Sequence, residues 1–132
     1  MIKNESEKND VPSNPFGEKM CNLSYLSEMM AGKKDLIKGM MDAFLKQVPE
    51  ELQSINDAIT KTDYATIKNF AHTMKSSVSI MGIAVLIPVL KGMEDLGAMA
   101  EDIEKIKELN QKLNLICGQA IEEIEKEKHN YV

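Results

Sequence analysis

From residue 22 onward the chain alternates apolar and polar positions with the three- and four-residue spacing of amphipathic helices. Leu23, Leu26, Met29 and Met30 mark a short first helix that stops at Gly32, where a missing Cβ suits a helix terminus. Leu36, Ile37, Met40, Met41, Phe44, Leu45 and Val48 form a long second stripe, continued beyond Pro49 by Leu52, Ile55, Ala58 and Ile59. Pro49 lacks an amide hydrogen, so this stretch reads either as one kinked helix or as two abutting ones. Thr62 and Asp63 give a turn with an N-cap, and Ile67, Phe70, Ala71, Met74, Val78 and Met81 carry a third helix to Gly82. A fourth stripe runs from Ala84 through Leu86, Val89, Leu90, Met93 and Leu96 to Gly97, with Pro88 expected in its first turn. The last spans residues 101–127 on Ile103, Ile106, Leu109, Leu113, Ile116, Ala120 and Ile124.

Four long helices with short connections, preceded by a short one, predict an all-α, antiparallel up-down four-helix bundle with an extra N-terminal helix. Residues 1–19, rich in Asn, Glu, Lys, Ser and Pro, read as a flexible polar leader, residues 20–128 as the bundle and residues 129–132 as a tail. One domain is expected, since 132 residues leave no room for a second core. Composition agrees: aromatics are 5% of the chain, Trp is absent, and ten Met join many Leu and Ile in supplying apolar mass suited to helices.

Charge and cysteine content remove several function classes. A net charge of −5 argues against nucleic-acid binding, which draws its affinity from clustered Lys and Arg. Cys21 and Cys117 have neither metal-ligand spacing nor the density of a secreted disulfide scaffold, so reduced thiols are expected. With no signal-like start and no apolar run of about 18 residues, the expectation is a soluble, cytoplasmic protein that neither binds nor crosses a membrane. A metal site of the bundle type needs Glu-x-x-His spacing, and neither histidine has it, because Asn69 precedes His72 and Lys126 precedes His129 at that distance. His129, in the charged tail, reads as exposed and idle.

His72 carries the candidate chemistry. At about 100° per residue, with Met74 as the buried direction, the third helix keeps its apolar residues within roughly 60°, whereas His72 points roughly 160° away. Lys68 and Asn69 share its exposed sector one turn before, Lys75 and Ser76 one turn after, and Ser79 two turns after. A neutral imidazole is a competent nucleophile near neutral pH, and a phosphorylated one is stabilised by a nearby cation and hydroxyls. Spacing alone does not separate such an acceptor from a polar residue on a solvated helix face. Ile80 projects away from the Met74 direction, so a neighbouring helix packs it or it belongs to a small exposed patch for a partner.

The run Ala71-His72-Thr73-Met74-Lys75-Ser76-Ser77, followed by Gly82 and then by Leu86, Leu90, Met93 and Glu94, resembles the histidine phosphotransfer (HPt) domain family. The likeness extends back to Asn22-Leu23-Ser24-Tyr25-Leu26 and to the Phe44 helix near Pro49, covering roughly residues 22–125. It implies that His72 accepts a phosphoryl group, that Lys75 is the cation beside the phosphate, and that Ser76 or Ser77 holds a small-residue position allowing close approach. The partners it implies are receiver domains of response regulators and hybrid histidine kinases, which supply the acidic pocket, Mg²⁺ and the phosphoaspartate. No cofactor of the chain's own and no kinase activity are expected, and a monomer is. Two positions depart from the pattern: Ser76 stands where glycine is usual, adding a hydroxymethyl beside the acceptor, and Ile83 where alanine commonly follows the glycine. The rival reading is a helical module that binds receivers without transferring phosphate.

Overall fold

The apolar spacing is realised as five α-helices in the computed structural model, which describes residues 20–131; no strand occurs among them. The leader expected over residues 1–19 lies outside the described residues, as does the last residue of the tail. The helices are α1 Leu23–Met29, α2 Lys34–Thr60, α3 Tyr64–Ile80, α4 Leu86–Met99 and α5 Ile103–Glu127, and a 3-10 turn, Lys128–Tyr131, follows. Connections of only three to five residues force successive long helices to reverse. α2 packs on α3, α3 on α4 and α4 on α5, and α5 returns to α2, closing a four-helix bundle.

The stripes read from the sequence fill the core. Met41, Ile55, Ile67, Met74, Leu90, Met93, Ile106 and Ile124 are fully enclosed, and no polar or charged residue among the described ones is buried. Each such side chain contributes about 1.5–3 kcal/mol. Specific hydrogen bonds then set register between the long outer helices: the Nδ2 groups of Asn110 and Asn114 on α5 donate to Asn56 Oδ1 on α2 at 2.8 and 3.2 Å. Both cysteines are buried.

Helix ends follow local chemistry. Asp63 caps α3, its carboxylate accepting from Thr66 N at 3.2 Å. Asp102 does the same for α5 through Lys105 N, so α5 starts slightly later than residue 101. Pro49 leaves α2 a single 27-residue helix: it is exposed, while Val48, Leu52 and Ile55 pack continuously beneath it, so the missing amide costs one hydrogen bond and no burial. Pro88 lies in the first turn of α4.

Gly82 ends α3 with φ 67°. Asn22 crosses directly over it, its amide donating to the carbonyls of Met81 and Gly82 at 3.1 Å each, and this seats α1 on the bundle. Gly97 has a different role from the expected one. α4 continues past it to Met99, and Ala100 takes the left-handed end. A Cβ at position 97 would lie 3.0 Å from Tyr64 O and 3.1 Å from Lys68 Cβ, so glycine is needed there for close α3–α4 approach, not for termination. The polar C-terminal segment is docked on α2, where Lys128 Nζ meets Asp42 Oδ1 at 3.0 Å and Tyr131 packs on the core.

Candidate functional site

α3 places His72 opposite its buried residues Ile67, Ala71, Met74 and Val78, leaving the imidazole 67% exposed. Its Nδ1 lies 2.7 Å from Glu94 Oε2 on α4. The other oxygen of that carboxylate, Oε1, meets Lys75 Nζ at 2.5 Å. The cation therefore reaches the imidazole's neighbourhood through Glu94 and does not touch the ring.

The electrostatics of this trio determine the tautomer. Glu94 is held below the usual carboxylate range, first by its hydrogen bond with Lys75 and then by that with His72, with partial burial opposing both. An ionised carboxylate is acceptor only, so the nitrogen facing it must carry the hydrogen. Nδ1–H thus donates to Glu94, and in the neutral ring the lone pair resides on Nε2. A one-sided partner of this kind fixes both the orientation of the ring and the nitrogen available for attack.

The remaining candidates are distributed around this centre. Lys68, Asn69, Ser76 and Ser79 are exposed on α3, and Thr73 turns its hydroxyl back to donate to Asn69 O at 3.0 Å. Lys75, Ser76, Ser79 and Ile80 line a shallow hollow on the C-terminal side of His72. Ile80 is half-buried: it packs on the core and also lines a cleft with Met40 and Phe44 of α2, so both alternatives weighed for it apply in part. His129 is exposed in the 3-10 turn.

Glu94 is the residue whose place in the site sequence reasoning missed; it entered only as part of a family motif. A signal for it existed. In an antiparallel pair reversing about Ile83, residues equidistant from that point lie level, and His72 is eleven positions before it as Glu94 is eleven after. Glu94 also follows the fully buried Met93, at the edge of the apolar face of α4.

No curated protein gives a significant match to the chain. Among solved structures it resembles the crystal structure of histidine-containing phosphotransfer protein B (HptB) from Pseudomonas aeruginosa PAO1. The TM-score is 0.78 at 19% identity, over 86% of this chain and 97% of that one, a likeness of fold. The Hpt domain model matches residues 39–127, more than half of the sequence. The bundle, with its exposed histidine on the third helix, and this match together place the chain: it belongs to the Hpt domain family, the histidine phosphotransfer modules of phosphorelays.

Proposed function

We propose that His72 is the phosphoryl acceptor and that Nε2 is the attacking atom. The Nε2 lone pair attacks the phosphorus of a receiver's phosphoaspartate in line with the departing oxygen. As the P–O bond to the aspartate breaks, a P–N bond forms, and the aspartate leaves as a carboxylate. The ring gains positive character in this step, and its Nδ1–H is already hydrogen-bonded to the Glu94 carboxylate, which offsets that charge. The reverse step returns the group to an aspartate, so the protein is a reversible carrier and not an enzyme. The single observation that carries this reading is an exposed imidazole whose Nδ1 is engaged by Glu94, which leaves Nε2 as the nitrogen for attack.

Lys75 is the cation for the bound phosphoryl group. Its ammonium leaves Glu94, or is shared with it, when two negative charges arrive on the ring. The Ser76 hydroxyl, one turn beyond His72 on the exposed side, is a donor to the same oxygens. Among the described residues no group of three or more His, Cys, Asp or Glu comes together to hold a metal ion. The Mg²⁺ that neutralises charge in phosphoryl transfer would be held by the receiver's own acidic pocket. No helix of the described residues is long and apolar enough to cross a membrane.

The test is transfer from a phosphorylated receiver domain, followed by the stability of the label. Acid-labile, alkali-stable phosphate on the wild type and none on His72→Gln supports the carrier. Receiver binding with no label on either protein would support the non-transferring module instead.

A further inference from the structure

Two groups compete for Lys75. At rest its ammonium sits 2.5 Å from Glu94 Oε1. Once His72 carries a phosphoryl group, the same ammonium faces about two negative charges on the ring. Glu94 Oε1 lies out of reach of solvent. A carboxylate oxygen in that position that loses its cation is left desolvated and uncompensated, a far larger loss than the breaking of an exposed pair. Charge balance points the same way. The neutral ring, Glu94 and Lys75 sum to zero before transfer. Afterwards the phosphoryl group brings about two negative charges and the ring gains one positive, so the trio is one cation short.

Lys91 stands where that cation is needed. α3 and α4 run antiparallel about Ile83, and Lys91 is eight positions after it as Lys75 is eight before, so the two lysines lie level across the helix pair. Lys91 also precedes Glu94 by three residues on α4, the spacing at which side chains of one helix meet. At rest its Nζ is drawn the other way, to Asp95 Oδ1 at 2.8 Å. The field of Glu94 already reaches it: the ammonium is held above the ordinary lysine value chiefly by its hydrogen bond with Asp95, and also by Glu94. Lys91 and Asp95 are 60% and 50% exposed, so water screens their pair and little holds Lys91 in its resting place.

We infer that Lys91 is a reserve cation for Glu94: when Lys75 turns to the phosphoryl group, Lys91 leaves Asp95 and takes its place at the Glu94 carboxylate. The exchange keeps that carboxylate ionised and facing Nδ1–H of His72 while Lys75 serves the phosphate. It reverses when the group departs. Lys91 is thus a positioning residue, acting on the transferred group through Glu94 and not by touching it. The inference rests on the reading of His72 as the phosphoryl acceptor, and it adds the residue that releases Lys75 to the phosphate.

The experiment compares phosphorylated and unphosphorylated protein. Phosphoramidate loads His72 without a partner: its P–N bond breaks, ammonia departs, and a P–N bond to Nε2 forms. Urea is uncharged and leaves ion pairs unscreened, so urea titrations are run in mildly alkaline buffer, where the label survives, on both forms of wild type, Lys91→Met, Glu94→Gln, the double variant and Asp95→Asn. In the unlabelled proteins, Lys91→Met should change the unfolding constant alike with Glu or Gln at position 94, to within about twofold. In the labelled proteins its cost should be about three- to fivefold greater with Glu there than with Gln. Asp95→Asn, which frees Lys91, should stabilise the labelled form relative to the unlabelled one. The exchange is overturned if the coupling of Lys91 to Glu94 is the same with and without the label. It is equally overturned if the label-dependent loss in Lys91→Met is as large in the Glu94→Gln background, which would put Lys91 on the phosphoryl group itself. A wild type labelled by phosphoramidate but by no receiver would sink the carrier reading, a separate failure.

Discussion

Gly82 and Gly32 both adopt left-handed backbone, with φ 67° and 71°, yet a side chain would meet opposite surroundings at the two positions. A Cβ at Gly82 would fall 2.7 Å from Asn22 Cβ and 2.8 Å from Asn22 N, and would also strike Asn22 O; at Gly32 nothing lies within 4 Å. Alanine at either site costs about 1–2 kcal/mol for the backbone conformation alone. At Gly82 it must also push away the strand of chain that holds α1, an overpacking cost of about 1–3 kcal/mol. Moving Asn22 breaks its amide's bonds to Met81 O and Gly82 O and loosens the buried Leu26 behind it. Gly82→Ala should therefore be less stable than Gly32→Ala by about 1–3 kcal/mol in urea titrations followed by circular dichroism. That difference corresponds to roughly 4 °C in Tm per kcal/mol for a domain of this size. A lower m-value in Gly82→Ala would mark native-state release of α1. Equal stability of the two variants would refute the seating of residues 20–22 over the turn.

Other outcomes follow from the core and the site. Met74→Ala removes a fully buried side chain facing away from His72 and should cost about 2–5 kcal/mol by urea titration, without abolishing phosphoramidate labelling of the protein that remains folded. Glu94 has a depressed pKa in the folded state, so its ion pairs add stability above the ordinary carboxylate value of 4.5, which is lost as pH falls through the lower folded value; Glu94→Gln should flatten that part of the stability-pH curve. An unchanged acid limb in that variant would contradict the pairing. Burial, and secondarily the charge of Glu51, pushes the Cys117 thiol up to about 12. Native protein at pH 8 should hence leave Cys117 unmodified by a thiol reagent that labels it quickly in denaturant, and rapid native labelling would show the site to be open.

The helices were legible because each long one buries a continuous stripe, and periodicity reports burial directly. Asp63 and Gly82 were legible as punctuation for the same reason: a carboxylate that accepts a helix N-terminal amide and a residue free to take positive φ have few other uses in those places. Gly97 was misread as a terminus since the need for it comes from Tyr64 and Lys68 on another helix, a constraint that sequence spacing does not carry. Pro49 stayed open because its effect depends on what packs against the neighbouring residues. The exposure of His72 followed from the wheel of one helix, whereas its partnership with Glu94 needed the pairing of two. Lys75 was expected, from the family resemblance, as the cation beside the phosphate, and its pairing with that same carboxylate likewise needed the register of α3 against α4. The Lys128–Tyr131 turn read as part of a tail because its anchor, Asp42, lies far away in the chain.

The most direct measurement is nitrogen-15 and phosphorus NMR of protein phosphorylated by a receiver, with the imidazole nitrogens resolved. One phosphoryl group bonded to Nε2 of His72, with Nδ1 protonated beside Glu94, is the expected spectrum. A phosphoryl group on Nδ1, on His129 or on no histidine at all would contradict the assignment of the acceptor.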